Sequence, residues 1–142
     1  MSTLMYSCCT RKGCGSFEDV NEVRFFGFEP HALDTVVIEI FSSGFDPASR
    51  LDSVTWAMEN GSVPPPEFTF FLRHDLEIGY ALRFTLLGSG NGEIFELNGF
   101  SVKREPCNAC FPYHPESDYY TQLESYLVNG VRFYHGRLEV HR

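Results

Sequence analysis

Leu76-Glu77-Ile78-Gly79-Tyr80-Ala81-Leu82-Arg83-Phe84-Thr85-Leu86 sets a large apolar side chain at every even position and a charged, polar or small one at every odd position. A period of two puts Leu76, Ile78, Tyr80, Leu82, Phe84 and Leu86 on one face of a strand, whereas a helix would scatter them around its circumference. The alternation recurs on either side of this run. Val36, Ile38 and Ile40 stand against Glu39, Val54, Trp56 and Met58 against Ser53 and Thr55, and Phe68, Phe70 and Leu72 against Thr69. Each reads as a strand with one buried face.

Turn formers separate these runs: Ser42-Ser43-Gly44 with Asp46-Pro47, Asn60-Gly61 with Pro64-Pro65-Pro66, and Gly88-Ser89-Gly90-Asn91-Gly92. Glycine and asparagine supply positive φ and proline a fixed φ, so the chain reverses there. Strands are thus predicted from Val20 to Phe28, Thr35 to Phe41, Leu51 to Met58, Phe68 to Leu72, Leu76 to Leu87 and Glu93 to Val102. Gly99 marks a bulge, because the apolar phase shifts from Phe95 and Leu97 to Phe100 and Val102. Ser117 to Gly130 admits a helix carrying Tyr119, Tyr120, Leu123, Tyr126 and Leu127 on one side. The favoured reading is a strand with Leu123, Ser125 and Leu127 on one face, an Asn129-Gly130 turn, and a return over Val131 to Val140 interrupted at His135-Gly136. Short strands at even spacing predict an all-β fold, an antiparallel β-sandwich of immunoglobulin-like architecture with about seven to eight strands.

The chain has 142 residues, 43% hydrophobic and 21% charged, enough for a single core, with residues 1–16 as an anchor or linker segment before a sandwich over 17–142. Eleven Lys and Arg against nineteen Asp and Glu give a formal charge of -8, which provides no basic field for nucleic acid or for an anionic membrane. No run approaches the ~20 apolar residues of a membrane span. Trp56 is expected in the core with Val54 and Met58. Phe26 and Phe28 fall opposite Val23 and Phe25, so that strand is expected to be apolar on both sides.

Five cysteines lie in two clusters, Cys8, Cys9 and Cys14 near the start and Cys107 and Cys110 late in the chain. Three arrangements stay open. Cys9, Cys14, Cys107 and Cys110 form two disulfides in an oxidising compartment, or the same four bind one structural zinc, or the thiols are unlinked. In the first arrangement Cys8 is left over, and Leu4-Met5-Tyr6-Ser7-Cys8 looks like a bacterial lipobox, which makes Cys8 the lipidation site. The apolar stretch that export requires is not found before Cys8, so the start reads as truncated; a start complete as given would leave the protein cytoplasmic.

Phe111, Tyr113, His114, Tyr119 and Tyr120, with Glu116 and Asp118 among them, are the candidate ligand-binding group, since aromatic faces beside carboxylates suit sugar rings or peptides. His114, Glu116 and Asp118 are also a candidate divalent-ion set and, as a hydrolase reading, a histidine with a carboxylate. Asn60-Gly61-Ser62 fits a glycosylation sequon. No His-Glu-x-x-His, Gly-x-Ser-x-Gly, Ser-x-x-Lys or phosphate-cradling loop occurs, and the dispersed His31, His74, His114, His135 and His141 read as solvated. His74-Asp75 has no matched nucleophile.

Ser7-Cys8-Cys9-Thr10-Arg11-Lys12-Gly13-Cys14, Val23-Arg24-Phe25-Phe26-Gly27-Phe28, Glu124-Ser125-Tyr126-Leu127-Val128-Asn129-Gly130 and Leu138-Glu139-Val140 together resemble small uncharacterised lipoproteins of Bacteroidota envelopes. The resemblance implies a lipid-anchored β-sandwich in the periplasm or on the outer membrane, with Cys8 acylated and the terminal segments as strands. The expected function is non-catalytic: a binding or structural envelope module without a cofactor, taking a protein or glycan ligand. The alternative is a cytosolic β module held by zinc on Cys9, Cys14, Cys107 and Cys110 that mediates protein contacts.

Overall fold

Among the residues that the computed structural model describes, 17, 20–29, 31–58, 67–88, 92–106 and 119–142, nine strands form two sheets. They are β1 (Glu22–Phe26), β2 (Thr35–Phe41), β3 (Arg50–Ala57), β4 (Glu67–Phe71), β5 (Ala81–Leu86), β6 (Glu93–Pro106), β7 (Tyr119–Val128), β8 (Val131–Phe133) and β9 (Leu138–His141). The larger sheet runs β3-β2-β5-β6-β7-β8 and the smaller β4-β1-β9. All pairings are antiparallel except β1 with β9, where the first strand and the last lie side by side in parallel. The all-β sandwich expected from the alternation is what forms, with its immunoglobulin-like likeness lying in the two packed sheets and its strand order its own.

The core sits between the sheets and is built by parity. Val36, Ile38 and Ile40 of β2, Leu82, Phe84 and Leu86 of β5, and Phe95 and Leu97 of β6 point inward from the larger sheet; Val23, Phe25, Phe70, Leu138 and Val140 answer from the smaller. Phe25 is its centre, with ring centroids 5.1 Å from Phe70, 5.0 Å from Phe84 and 6.0 Å from Phe95. Phe17 is buried against Phe100 at 5.7 Å.

Four local expectations change in detail. The alternating run yields a strand only from Ala81; Leu76 is buried, but Ile78 is exposed and Tyr80 N–H closes a turn onto the Glu77 carbonyl. Phe28 does not share a face with Phe26, because Gly27 at φ 76 turns the chain and returns Phe28 to the core, 5.3 Å from Phe25. Phe26 stays outside and stacks on His141 at 4.7 Å, so its ring is partly covered by a side chain of this chain, beside Glu22 and Arg24 on the same face. In β7 the strand reading holds, yet the core face is Leu123, Tyr126 and Val128. The bulge at Gly99, φ 61, shifts the β6–β7 register between Asn98 and Ser101, so Ser125 and Tyr126 are both buried and Leu127 lies over Gly99 instead. The return after Asn129-Gly130 divides: β8 stays with β7, and β9 crosses to the other sheet.

Candidate functional site

β3 and β4 are edge strands of different sheets on the same side of the sandwich, and a cleft of about 190 Å³ opens between them. Ile38, Ile40, Val54, Trp56, Phe70 and Leu72 form its apolar lining; Asp52 and Arg73 stand at its mouth. Strand parity explains the set. Asp52, Val54, Trp56 and Met58 share the inward face of β3, so the carboxylate occupies the position where the next apolar residue would fall. From the other sheet Phe68 and Phe70 meet Trp56 at 4.6 and 5.5 Å, the second contact edge-on at 90°. Trp56 is only half-buried, packed on the core on one side and lining the cleft on the other.

A planar fork closes the mouth. Arg73 Nε donates to Asp52 Oδ2 at 3.1 Å and Nη2 donates to Oδ1 at 2.9 Å, the two parallel bonds that a guanidinium makes with a carboxylate. Ser53 N–H donates to Asp52 Oδ1 at 2.9 Å, and His74 Nε2 lies 3.8 Å from Oδ2. The Arg73 hydrogen bond holds the Asp52 carboxyl below its ordinary value; desolvation opposes this, and the charge of Arg73, the Ser53 N–H and His74 add to the lowering. His74 therefore serves Asp52 across the cleft and has no ion pair with its neighbour Asp75. Phe71, another lining residue, is 66% exposed.

A second, more polar depression of about 300 Å³ lies between Val20–Arg24 and Gly136–Leu138. Its Arg24 is already committed to Glu67 at 3.5 Å and Glu22 at 3.9 Å. Among the described residues no group of three or more His, Cys, Asp or Glu is placed to hold a metal ion, and no buried side-chain polar atom lacks a hydrogen bond. His31, His74, His135 and His141 are at the surface.

Cys8, Cys9, Cys14, Cys107, Cys110, Phe111, Tyr113, His114, Glu116, Asp118 and the Asn60 sequon lie outside the described residues. Tyr119 and Tyr120 open β7, opposite Pro106 and Glu105, and Tyr120 is half-buried. They are far along the sheet from β3, with β2, β5 and β6 between. The cleft was not among the sequence candidates, since it joins Asp52 to Arg73 and Trp56 to Phe70 through tertiary packing; the one signal was the acid on the apolar parity of β3. Comparison of the chain with protein-family models, with curated proteins and with solved structures finds no match.

Proposed function

We propose that the protein is a non-catalytic binding module of the bacterial cell envelope that holds an apolar group in the cleft between β3 and β4. The observation that carries this reading is the cleft itself: aromatic and aliphatic walls with a clamped charge pair, Asp52 and Arg73, among its lining residues. Its volume of about 190 Å³ is below the ~300 Å³ at which sites for drug-sized ligands begin, and above the ~150 Å³ of an apolar cavity that accepts benzene. It suits one side chain or one small ring.

The envelope address rests on the likeness to Bacteroidota lipoproteins and on Ser7-Cys8 as the acceptor of the lipid. Cys9, Cys14, Cys107 and Cys110 would then be oxidised in pairs, tested by intact mass without reductant before and after alkylation: a loss of four protons is expected. Acyl labelling that disappears with Cys8→Ser tests the anchor.

Trp56 is the chain's single tryptophan, so its emission reports the cleft alone. Titration with cresol or isobutanol should shift that emission saturably. Val54→Phe, which fills the cleft from β3, should abolish the response while far-ultraviolet circular dichroism stays unchanged. A wild-type protein whose emission never saturates with any small apolar probe would remove the binding reading.

A further inference from the structure

Among the described residues the sandwich has four strand edges, and they are not equally guarded. On β9, Tyr126 Oη is bonded to both the N–H and the carbonyl of Glu139. β8 is three residues long. β4 has five residues and directly follows Pro64-Pro65-Pro66, which carry no N–H. β3 has eight residues; its bulge and its inward Asp52 guard the Arg50–Asp52 end, and the stretch from Ser53 to Ala57 carries no proline, no charge and no bulge.

The direction of its free groups follows from the register. Met58 N–H donates to the Asp34 carbonyl at 2.8 Å, continuing a ladder in which Trp56 faces Val36 and Val54 faces Ile38. In an antiparallel pair, alternate residues exchange both bonds with the partner strand and those between turn both groups away. Ser53, Thr55 and Ala57 therefore turn their N–H and C=O groups off the edge. The Asp52 carboxylate takes the Ser53 N–H, and Thr55 and Ala57 are met by nothing among the described residues.

We infer that this edge and the cleft beside it bind an extended, cationic segment of another polypeptide, added to the larger sheet beyond β3 with one apolar side chain in the cleft. The inference rests on the cleft reading above and supplies its ligand class. A row of backbone donors and acceptors at strand spacing is complementary to another backbone, in the manner of strand addition. Continuing the sheet past β3 carries the inward side chains of the new strand over Trp56 and Phe70, where alternate residues meet the cleft. The formal charge of -8 favours a basic partner and opposes pairing of two copies of this chain.

The test uses the full chain and the capped peptide Lys-Val-Lys-Phe-Lys-Val-Lys, with Trp56 emission and calorimetry as readouts. Saturable binding is expected, weakened about tenfold or more when Glu replaces Lys at low ionic strength. Methylating the backbone nitrogens on one edge of the peptide should cost about tenfold or more, and methylating those on the other edge should cost little, because only one edge faces β3. Thr55→Pro removes an N–H that β2 does not use; it should abolish peptide binding and leave the response to cresol intact. Equal affinity of both methylated peptides, or of the Glu peptide, overturns the inference. So does a cresol response without any peptide binding, which leaves the cleft reading standing; loss of both responses removes both. Concentration-dependent dimers that Thr55→Pro dissolves would assign the edge to a second copy and overturn the foreign partner.

Discussion

The phenol of Tyr126 holds the backbone of Glu139 at both ends: its oxygen accepts from the Glu139 N–H at 2.8 Å and its hydroxyl donates to the Glu139 carbonyl at 3.1 Å. Tyr126 belongs to β7 of the larger sheet and Glu139 to β9 of the smaller, so one fully buried side chain ties the two layers together. It also performs what a tenth strand would, satisfying edge groups that lie against the core. Tyr126→Phe keeps the ring's packing, including its 6.2 Å stack with Phe133, and leaves a backbone donor and acceptor unpaired. The expected cost is about 1–3 kcal/mol, read as a lower urea midpoint at unchanged slope. An unchanged midpoint would mean that water replaces the phenol at no cost.

The same residue is expected to contribute to the alkaline limit of the fold. Burial raises the Tyr126 pKa above its ordinary value of 10.0, with the Glu139 backbone bond opposing and the Glu139 charge reinforcing. A group whose pKa is raised in the folded state contributes stability that is complete below the unfolded value and is lost as pH rises through the folded one. Urea midpoints measured from pH 8 upward should thus decline beyond about pH 10 in the wild type and decline less in Tyr126→Phe. Parallel curves would show that other tyrosines govern the limb.

Gly99 and Gly27 offer a matched pair for separating backbone strain from crowding. Both have positive φ, 61 and 76, a region that disfavours L side chains. A Cβ on Gly27 meets nothing within 4 Å, whereas on Gly99 it comes within 2.9 Å of Leu127 Cδ1 and 3.1 Å of Cγ. Gly27→Ala should cost about 1 kcal/mol, and Gly99→Ala should cost about 1–2 kcal/mol more because the bulge and the Leu127 side chain must both give. Thermal and urea unfolding of the two variants make the comparison; equal losses would show that Leu127 simply swings aside.

These positions also mark how far the sequence could be read. Alternation located β2 and β5 because their core faces keep a single period. It over-extended the Leu76 run, where a turn at Glu77–Tyr80 preserves the spacing of apolar letters without a ladder to hold them. It misplaced Phe28 because one glycine at positive φ inverts every later side chain, and parity alone carries no φ. Gly99 was recognised through the phase change it causes; its effect on Leu127 across the ladder was not, since register is a property of two strands. The Asp52–Arg73 clamp was invisible for the same reason: it joins β3 to the bend that follows β4 of the other sheet, and local periodicity has no knowledge of which edges will be stacked.

Asp52 links that clamp to acid stability. Arg73 holds its carboxyl below the ordinary value of 3.8. A depressed folded-state pKa means stability that is present above the unfolded value and drains away as pH falls through the folded one. Asp52→Asn keeps an oxygen for the Ser53 N–H and for Arg73 Nη2, and removes the charge together with the acceptor of the Arg73 Nε bond. Because the Arg73 side chain is 63% exposed and that of Asp52 17%, solvent screens the pair, and the loss near neutral pH should be about 0.2–1 kcal/mol. Urea midpoints between pH 2 and 6 should therefore converge for wild type and Asp52→Asn at the acid end, with the gap opening as pH rises toward about 4 and staying constant above it. Since Asp52 and Trp56 share one face of β3, wild-type tryptophan emission should titrate over the same acid range and the variant's should not. A constant gap at every pH would place the effect of the substitution in packing and strip the clamp of its electrostatic role.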